Sequence, residues 1–158
     1  MFLTAAGSRD NKIHDEALFE EFDIALGDKS KKKVIFLQLA GAHLRYKNRY
    51  PNSYDVFTNS DNIEYKNKKI NSYDNAILYN DYIVNTIIEK VNKKNTTSFV
   101  LYFSDHGEEV YDTIDFSGHN EDVGTLPMFQ IPFILWQSEL HKKASNVTKL
   151  LNRPYMID

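Results

Sequence analysis

Short apolar runs alternate along the chain with segments of helical periodicity, and this alternation constrains the fold more than any other feature. Runs rich in β-branched and aromatic residues predict three strands, "VIFLQLAG" at 34–41, "SFVLYF" at 98–103 and "IPFILW" at 131–136. The nearly continuous hydrophobicity of the first run predicts a strand buried on both faces, and the second and third runs predict further buried strands. All three runs are far shorter than the roughly 20 residues of a membrane-spanning helix.

Helical patterns lie before, between and after these strands. The clearest has apolar residues at 73, 76, 77, 83, 84, 87, 88 and 91, and predicts a helix with Ser72 as its N-cap. A shorter amphipathic helix is predicted from Asp15, as its N-cap, to Leu26, and a final helix from 138 to 151. The Asn-rich residues 44–70 predict a long excursion over the surface.

Strands that alternate with helices indicate an α/β fold, with a mainly parallel sheet and helices on both faces, in one domain over residues 1–158. The chain has 19 Lys and Arg against 22 Asp and Glu, a net charge of -3, which argues against a nucleic-acid partner. It has no cysteine, which excludes disulfides and thiolate metal sites. With no secretory signal in the sequence as given, we expect a soluble chain.

Residues that commonly bind metals follow two of the predicted strands. His43 lies just beyond the first strand, Asp105 and His106 lie just beyond the second, and His119 follows in the loop "DFSGHNED". Loops that leave the carboxyl ends of strands in open α/β sheets converge on one cavity. Imidazole and carboxylate are zinc ligands, so these four residues are candidates for a metal site that handles a phosphoryl group.

Ordinary structural roles remain open for the same residues. An Asp-His pair in a loop is often a capped turn or a surface pair, and isolated histidines are usually satisfied by hydrogen bonds. Arg45 and Tyr46 could hold a phosphate or sugar, or could anchor the excursion. His14 and His141 are expected to be structural or exposed. A solvated acidic rim is predicted for Glu108, Glu109, Asp112, Asp115, Glu121 and Asp122.

Several segments together resemble one known family. "FLQLAGAHLRYKNRYP", "YDNAILYNDYIV", "LYFSDHGEEVYD", "GHNE" and "IPFILW" occur in the order found in the carboxyl-terminal half of bacterial phosphoethanolamine transferases, over roughly residues 13–140. Those enzymes belong to the sulfatase branch of the alkaline phosphatase superfamily. The resemblance implies a partial domain of sulfatase-like α/β fold. "SDHG" alone is less specific, because sulfatases and phosphoglycerol transferases share it.

The resemblance also implies roles for the candidate residues. Asp105 and His106 would bind the principal zinc, while His43 and His119 would bind a second zinc or the phosphate of phosphoethanolamine. The reaction would transfer phosphoethanolamine from phosphatidylethanolamine to lipid A or a lipopolysaccharide core sugar, at the periplasmic face of the inner membrane. A threonine nucleophile and a glutamate ligand are expected upstream of Met1, and Thr4 is no convincing substitute. We therefore expect this chain alone to be inactive.

The chain departs from the family pattern at one loop and in its composition. Leu44 and Arg45 replace the Gly-Pro that follows the family's histidine, and the cysteines of disulfide-bonded relatives are absent. Two other functions remain open. One is a sulfatase-like or phosphodiester hydrolase that uses water as the acceptor. The other is a non-catalytic module that retains part of the site and binds a metal or an anion.

Overall fold

A computed structural model describes residues 1–4, 13–58 and 64–144 of the chain. The helices are α1 (Leu18–Gly27), α2 (Tyr65–Lys93), α3 (Leu126–Phe129) and α4 (Glu139–Ala144). The strands are β1 (Phe2–Thr4), β2 (Phe36–Gln38), β3 (Phe99–Phe103), β4 (Glu109–Val110), β5 (Ser117–Gly118) and β6 (Phe133–Gln137). All three predicted strands are therefore present.

The strands pair as three two-stranded units. β1 and β2 are parallel, whereas β3 pairs with β6 and β4 with β5 in antiparallel fashion. Within the described residues, the parallel arrangement predicted for the sheet is thus found for β1 and β2 only. A parallel neighbour requires a long crossover, usually a full helix. Between β3 and β6 the chain forms β4, β5 and the four-residue α3, and residues 104–132 contain no long helix that could make such a crossover.

Helix α2 organises the core. Its 29 residues bury one face, with Ile83 at 0% exposure, against α1 and the inner face of the strands. The helix begins at Tyr65, and Ser72 lies inside it with its hydroxyl donating to the Lys68 carbonyl at 2.8 Å. The prediction of Ser72 as the N-cap is therefore wrong. The Lys- and Asn-rich first turns continue the helix although they lack an apolar stripe.

The segment before α2 is packed into the protein and is not a surface excursion. Short 3-10 turns at Tyr46–Asn48 and Asn52–Tyr54 fold it, and Tyr46 and Tyr50 are buried. The buried amide of Asn75 accepts hydrogen bonds from the backbone of Val56 and Phe57 at 3.0 and 2.9 Å. The sequence suggested exposure because polar residues surround these anchoring tyrosines. Residues 59–63 lie outside the described part.

One face of the strands is open. Leu37, Val100 and Trp136 pack against the core. On the other face, Phe103 and Phe133 are 56% and 69% exposed, and their stacked rings have centroids 6.4 Å apart. Phe36 of the first predicted strand is also 61% exposed, so within the described residues the predicted burial is found on one face only. Helices α1 and α2 cover the inner face, and no described element covers the outer one.

The carboxyl-terminal part is described as far as residue 144. Helix α4 begins at Glu139, close to the start of the predicted final helix, and the predicted continuation to residue 151 lies outside the described residues. None of the described helices combines the length and the apolar character needed to cross a membrane.

Candidate metal centre

The loop after β3 holds Asp105 and His106 in a fixed turn. The Ser104 hydroxyl donates to the His106 carbonyl at 2.7 Å, and the Gly107 amide donates to the Met128 carbonyl at 2.8 Å. A Cβ atom on Gly107 would overlap the backbone carbonyl oxygens of Pro127 and Gln130. Only glycine allows this close approach to α3, which explains the glycine of the "SDHG" segment.

This turn presents one nitrogen of His106 to the site. Nδ1 lies 2.9 Å from the Gly107 carbonyl, where it can donate, so the lone pair of Nε2 is available. Nε2 is 3.8 Å from Asp105 Oδ1, and the Asp105 side chain is 91% exposed. Two ligands that are each about 2.0–2.2 Å from one zinc ion can be up to about 4 Å apart. His106 and Asp105 are therefore spaced to share an ion.

Three histidine rings, those of His43, His106 and His119, lie close together beside the turn after β3. The ring centroids of His106 and His119 are 3.8 Å apart, and His43 is 5.7 Å from His119 and 6.4 Å from His106. They come from the loops that follow β3, β5 and β2. The structure thus brings together histidines that are 76 positions apart at most in sequence, as the strand-end argument predicted.

A buried carboxylate supports the loop that carries His43. Asp15 accepts hydrogen bonds from the backbone of Ala40 and Gly41 at 2.8 and 3.0 Å, so its side chain holds this loop instead of capping the first helix as predicted. Arg49 donates to the His43 carbonyl at 3.2 Å. Burial and the Arg49 charge lower the pKa of His43, which favours its neutral, metal-binding form at neutral pH.

Glu108 is the site residue that the sequence analysis missed. Its side chain is 6% exposed; Oε1 lies 2.8 Å from His119 Nδ1, and Oε2 accepts from the Tyr46 hydroxyl at 2.8 Å. Glu109 is also buried, so the predicted acidic rim is wrong for both residues. The other four acids of that prediction are exposed, as expected. The sequence did contain one indication of this role, because Glu108 lies two residues beyond His106 in the loop that follows β3.

A family model described as Sulfatase matches residues 4–154. The chain belongs to the sulfatase family. It is 42% identical over 146 residues to the phosphoethanolamine transferase EptC of Escherichia coli (strain K12), over 87% of this chain and 25% of that protein. It is 41% identical over 155 residues to the phosphoethanolamine transferase CptA of Salmonella typhimurium, and the match covers 90% of this chain and 26% of that protein. The predicted resemblance is confirmed, and this sulfatase-family chain spans about a quarter of these relatives.

Solved structures of relatives have the same fold. The C-terminal periplasmic domain of E. coli EptC in complex with Zn superposes with a TM-score of 0.84 at 36% identity, over 96% of this chain and 45% of that one. The corresponding domain of EptC from Campylobacter jejuni superposes with a TM-score of 0.72 at 28% identity, over 94% of this chain and 55% of that one. The predicted fold class, a partial domain of sulfatase-like α/β fold, is confirmed.

The donor set of this sulfatase-family chain suits a metal ion. His106, Glu108 and His119 each offer a donor atom, and the three atoms lie within 4.8 Å of one another. Imidazole nitrogen with carboxylate oxygen is a donor set that zinc accepts. Glu108, however, already uses both oxygens in hydrogen bonds. The Nδ1 atoms of His106 and His119 face the Gly107 carbonyl and the Glu108 carboxylate, so Nε2 is the nitrogen that each ring can offer to an ion.

Arg45 and Tyr46 occupy different positions. Arg45, in the left-handed conformation at φ 64°, lines a cavity of about 220 Å³ together with His43, Leu44 and Lys69. Tyr46 is 1% exposed and lies beneath the site, where burial raises the pKa of its hydroxyl and keeps it protonated as a donor to Glu108. Arg45 thus lies at the surface of a cavity, whereas Tyr46 is too buried to contact a substrate and supports Glu108 instead.

Proposed function

We propose that residues 1–158 form the carboxyl-terminal part of the catalytic domain of a phosphoethanolamine transferase. The observation that carries this proposal is the convergence of Asp105, His106, His43 and His119 at one point in a sulfatase-family chain. Relatives that are 40–42% identical to it are named phosphoethanolamine transferases. Composition and charge indicate no substrate, so the proposed substrate rests on the site and on the family.

Each residue has a proposed role. Asp105 and His106 Nε2 bind the principal zinc, and His43 and His119 bind a second zinc or the phosphate of phosphoethanolamine. Zinc, when bound, lowers the pKa of a nucleophilic hydroxyl and neutralises developing phosphoryl charge. Arg45, beside Lys69 in the small cavity, offers a cation for the anionic substrate.

The proposed substrates are phosphatidylethanolamine as the donor and lipid A or a lipopolysaccharide core sugar as the acceptor. Two relatives named Kdo(2)-lipid A phosphoethanolamine 7''-transferase are only 29% and 28% identical to this chain, against 42% for EptC and 41% for CptA. This difference favours an acceptor other than that of the 7''-transferases. Lipid A and the other lipopolysaccharide core sugars remain the two proposed classes of acceptor.

The proposed reaction needs groups that the chain does not supply by itself. The nucleophile and a glutamate ligand are expected from the remainder of the domain, which in the zinc-bound EptC structure is more than half of the polypeptide. The open apolar face of the strands supports the presence of such a covering part. By analogy with the EptC periplasmic domains, we place the complete enzyme at the periplasmic face of the inner membrane.

A chimera tests this function directly. The segment of E. coli EptC that matches this chain is replaced by the 158 residues, and transfer of phosphoethanolamine to lipopolysaccharide is followed by mass spectrometry in cells that lack their own transferase. We expect transfer by the chimera and its loss with His106→Ala, while His141→Ala, far from the site, has no effect. A chimera that reaches the membrane in normal amounts but transfers nothing would contradict the proposal. Release of sulfate or free phosphoethanolamine instead would support the hydrolase.

A further inference from the structure

The contacts of Glu108 determine what its carboxylate can do. Each oxygen has one partner at 2.8 Å, the ring of His119 on one side and the hydroxyl of Tyr46 on the other. The side chain is 6% exposed, so these hydrogen bonds replace water almost completely. A buried carboxylate with both oxygens engaged is held in one orientation.

The same geometry determines the proton position on His119. An ionised carboxylate only accepts hydrogen bonds, so the ring atom facing it, Nδ1, has to be the donor. The Tyr46 hydroxyl donates to the other oxygen and holds the carboxylate in this orientation. Nε2 of His119 then carries the lone pair and points away from Glu108.

Glu108 is specific for His119 among the neighbouring rings. His106 Nδ1 is 4.0 Å from Glu108 Oε1, which is beyond hydrogen-bond distance, and that nitrogen already lies 2.9 Å from the Gly107 carbonyl. His106 and His119 are thus oriented by two different acceptors, a backbone carbonyl and a buried carboxylate.

We propose that Glu108, supported by Tyr46, is a positioning residue that fixes His119 as the Nδ1-protonated tautomer and so presents Nε2 to the site as a metal ligand. The tautomer follows from the contacts alone, whereas the use of Nε2 rests on the proposed function. In this role Glu108 acts through His119, although its carboxylate lies within the donor cluster. Carboxylates that hydrogen-bond a metal-binding histidine from behind raise its basicity and restrict its ring.

The tautomer is measured by long-range ¹H–¹⁵N correlation on the zinc-free, ¹⁵N-labelled chain at neutral pH. We expect His119 to be protonated at Nδ1 in the wild type. In Glu108→Met, which keeps the side-chain length and removes the acceptor, we expect a shift to the Nε2-protonated form that free histidine favours. Tyr46→Phe leaves Oε1 in place and is expected to retain the Nδ1 tautomer. His141, whose Nδ1 lies 3.1 Å from Gln137 Oε1, is an internal reference for the fold.

Two results would overturn the proposal. One is an Nε2-protonated His119 in the wild type, which decides the question even if Glu108→Met fails to fold. The other is an unchanged Nδ1 tautomer in a folded Glu108→Met. Zinc titration gives a separate reading, with an affinity about 10- to 100-fold weaker expected in Glu108→Met. A wild type that shows the Nδ1 tautomer but binds no zinc would refute the use of Nε2 as a metal ligand in this chain and leave the tautomer assignment intact, while the chimera tests the proposed function separately.

Discussion

His106 and His119 each use Nδ1 for a hydrogen bond inside the protein and leave Nε2 facing the site. In both, Nδ1 faces an acceptor inside the protein, the Gly107 carbonyl or the Glu108 carboxylate, and Nε2 is left for a ligand. The pair therefore has its proton positions set before any ion arrives. Such preorganisation reduces the ordering that binding would otherwise require.

Glu109 shapes the loop that leads from the site to His119. Its carboxylate accepts from the backbone of Asp112 and Thr113 and, at 2.5 Å, from the Thr113 hydroxyl. Burial acts to raise its pKa, but these hydrogen bonds outweigh burial and lower the pKa of Glu109 from 4.5 to about 2. The folded state thus favours the ionised form.

Glu109→Gln is expected to destabilise the chain in a pH-dependent way. Because the folded-state pKa is lowered, the stabilisation by Glu109 is fully present above about pH 4.5 and is lost as the pH falls towards about 2. The difference in free energy of unfolding between wild type and variant should narrow over that window, as measured by urea denaturation. Glu121→Gln, at an exposed position, is the control and should show no such narrowing. A difference that stays constant with pH would contradict this account.

Sequence reasoning selected four residues that the structure places near one another, because position at a strand end is visible in the residue pattern. Asp105, His106, His43 and His119 all follow β-strands, although β5 itself was not predicted. Glu108 was missed because a row of acids in a loop has the same composition whether it is solvated or buried. Its role depends on Tyr46, 62 positions away, and pairing at that distance leaves no periodic signal in one sequence.

At the scale of elements, a single side chain of α2 holds the segment that carries Tyr46 and Tyr50. Asn75 is completely buried; its amide oxygen accepts from Val56 and Phe57, and its nitrogen lies 3.1 Å from Asp55 Oδ1. This network attaches the polar segment to the helix without a continuous apolar face.

Asn75→Ala is expected to cost about 1–3 kcal/mol in free energy of unfolding, because it leaves buried backbone donors without partners. Asn85→Ala on the same helix is the control. Asn85 is exposed and donates only to Glu89 at 3.3 Å among the described hydrogen bonds, so we expect a change within about 0.5 kcal/mol. Thermal unfolding followed by circular dichroism measures both. Equal effects of the two substitutions would show that the network does not stabilise the fold.

Periodicity predicted which elements exist better than how they are arranged. The helix over residues 72–91 and all three apolar strands are present, because burial imposes their patterns on the sequence. The start of α2 at Tyr65 was missed, since its first turns are polar. The antiparallel pairing of β3 with β6 was missed as well, because strand direction depends on the connection and leaves no mark on the strand itself.

For the whole molecule, the open face of the β3–β6 pair has the largest consequence. Phe99, Leu101, Phe103 and Phe133 are all exposed on these two strands. A contiguous apolar surface of this kind is typical of an interface. We therefore expect the isolated 158-residue chain to self-associate through it.

Phe133→Lys is expected to shift the isolated chain towards monomer, because it places a charge on this face, opposite Phe103. Tyr65→Lys, at a position of similar exposure on α2, is the matched control and should leave the association unchanged. Sedimentation equilibrium over a range of concentrations measures both. A wild-type chain that remains monomeric at high concentration, or a shift of the same size in both variants, would refute this interpretation.

Zinc binding by the purified chain tests the central claim most directly. Isothermal titration calorimetry on the wild type, Asp105→Ala, His106→Ala and the control His141→Ala compares the site with a histidine that lies elsewhere. We predict stoichiometric binding by the wild type and by His141→Ala, and an affinity weaker by at least about tenfold in the two site variants. The same weak affinity in all four proteins would mean that the strand-end cluster is not a metal centre.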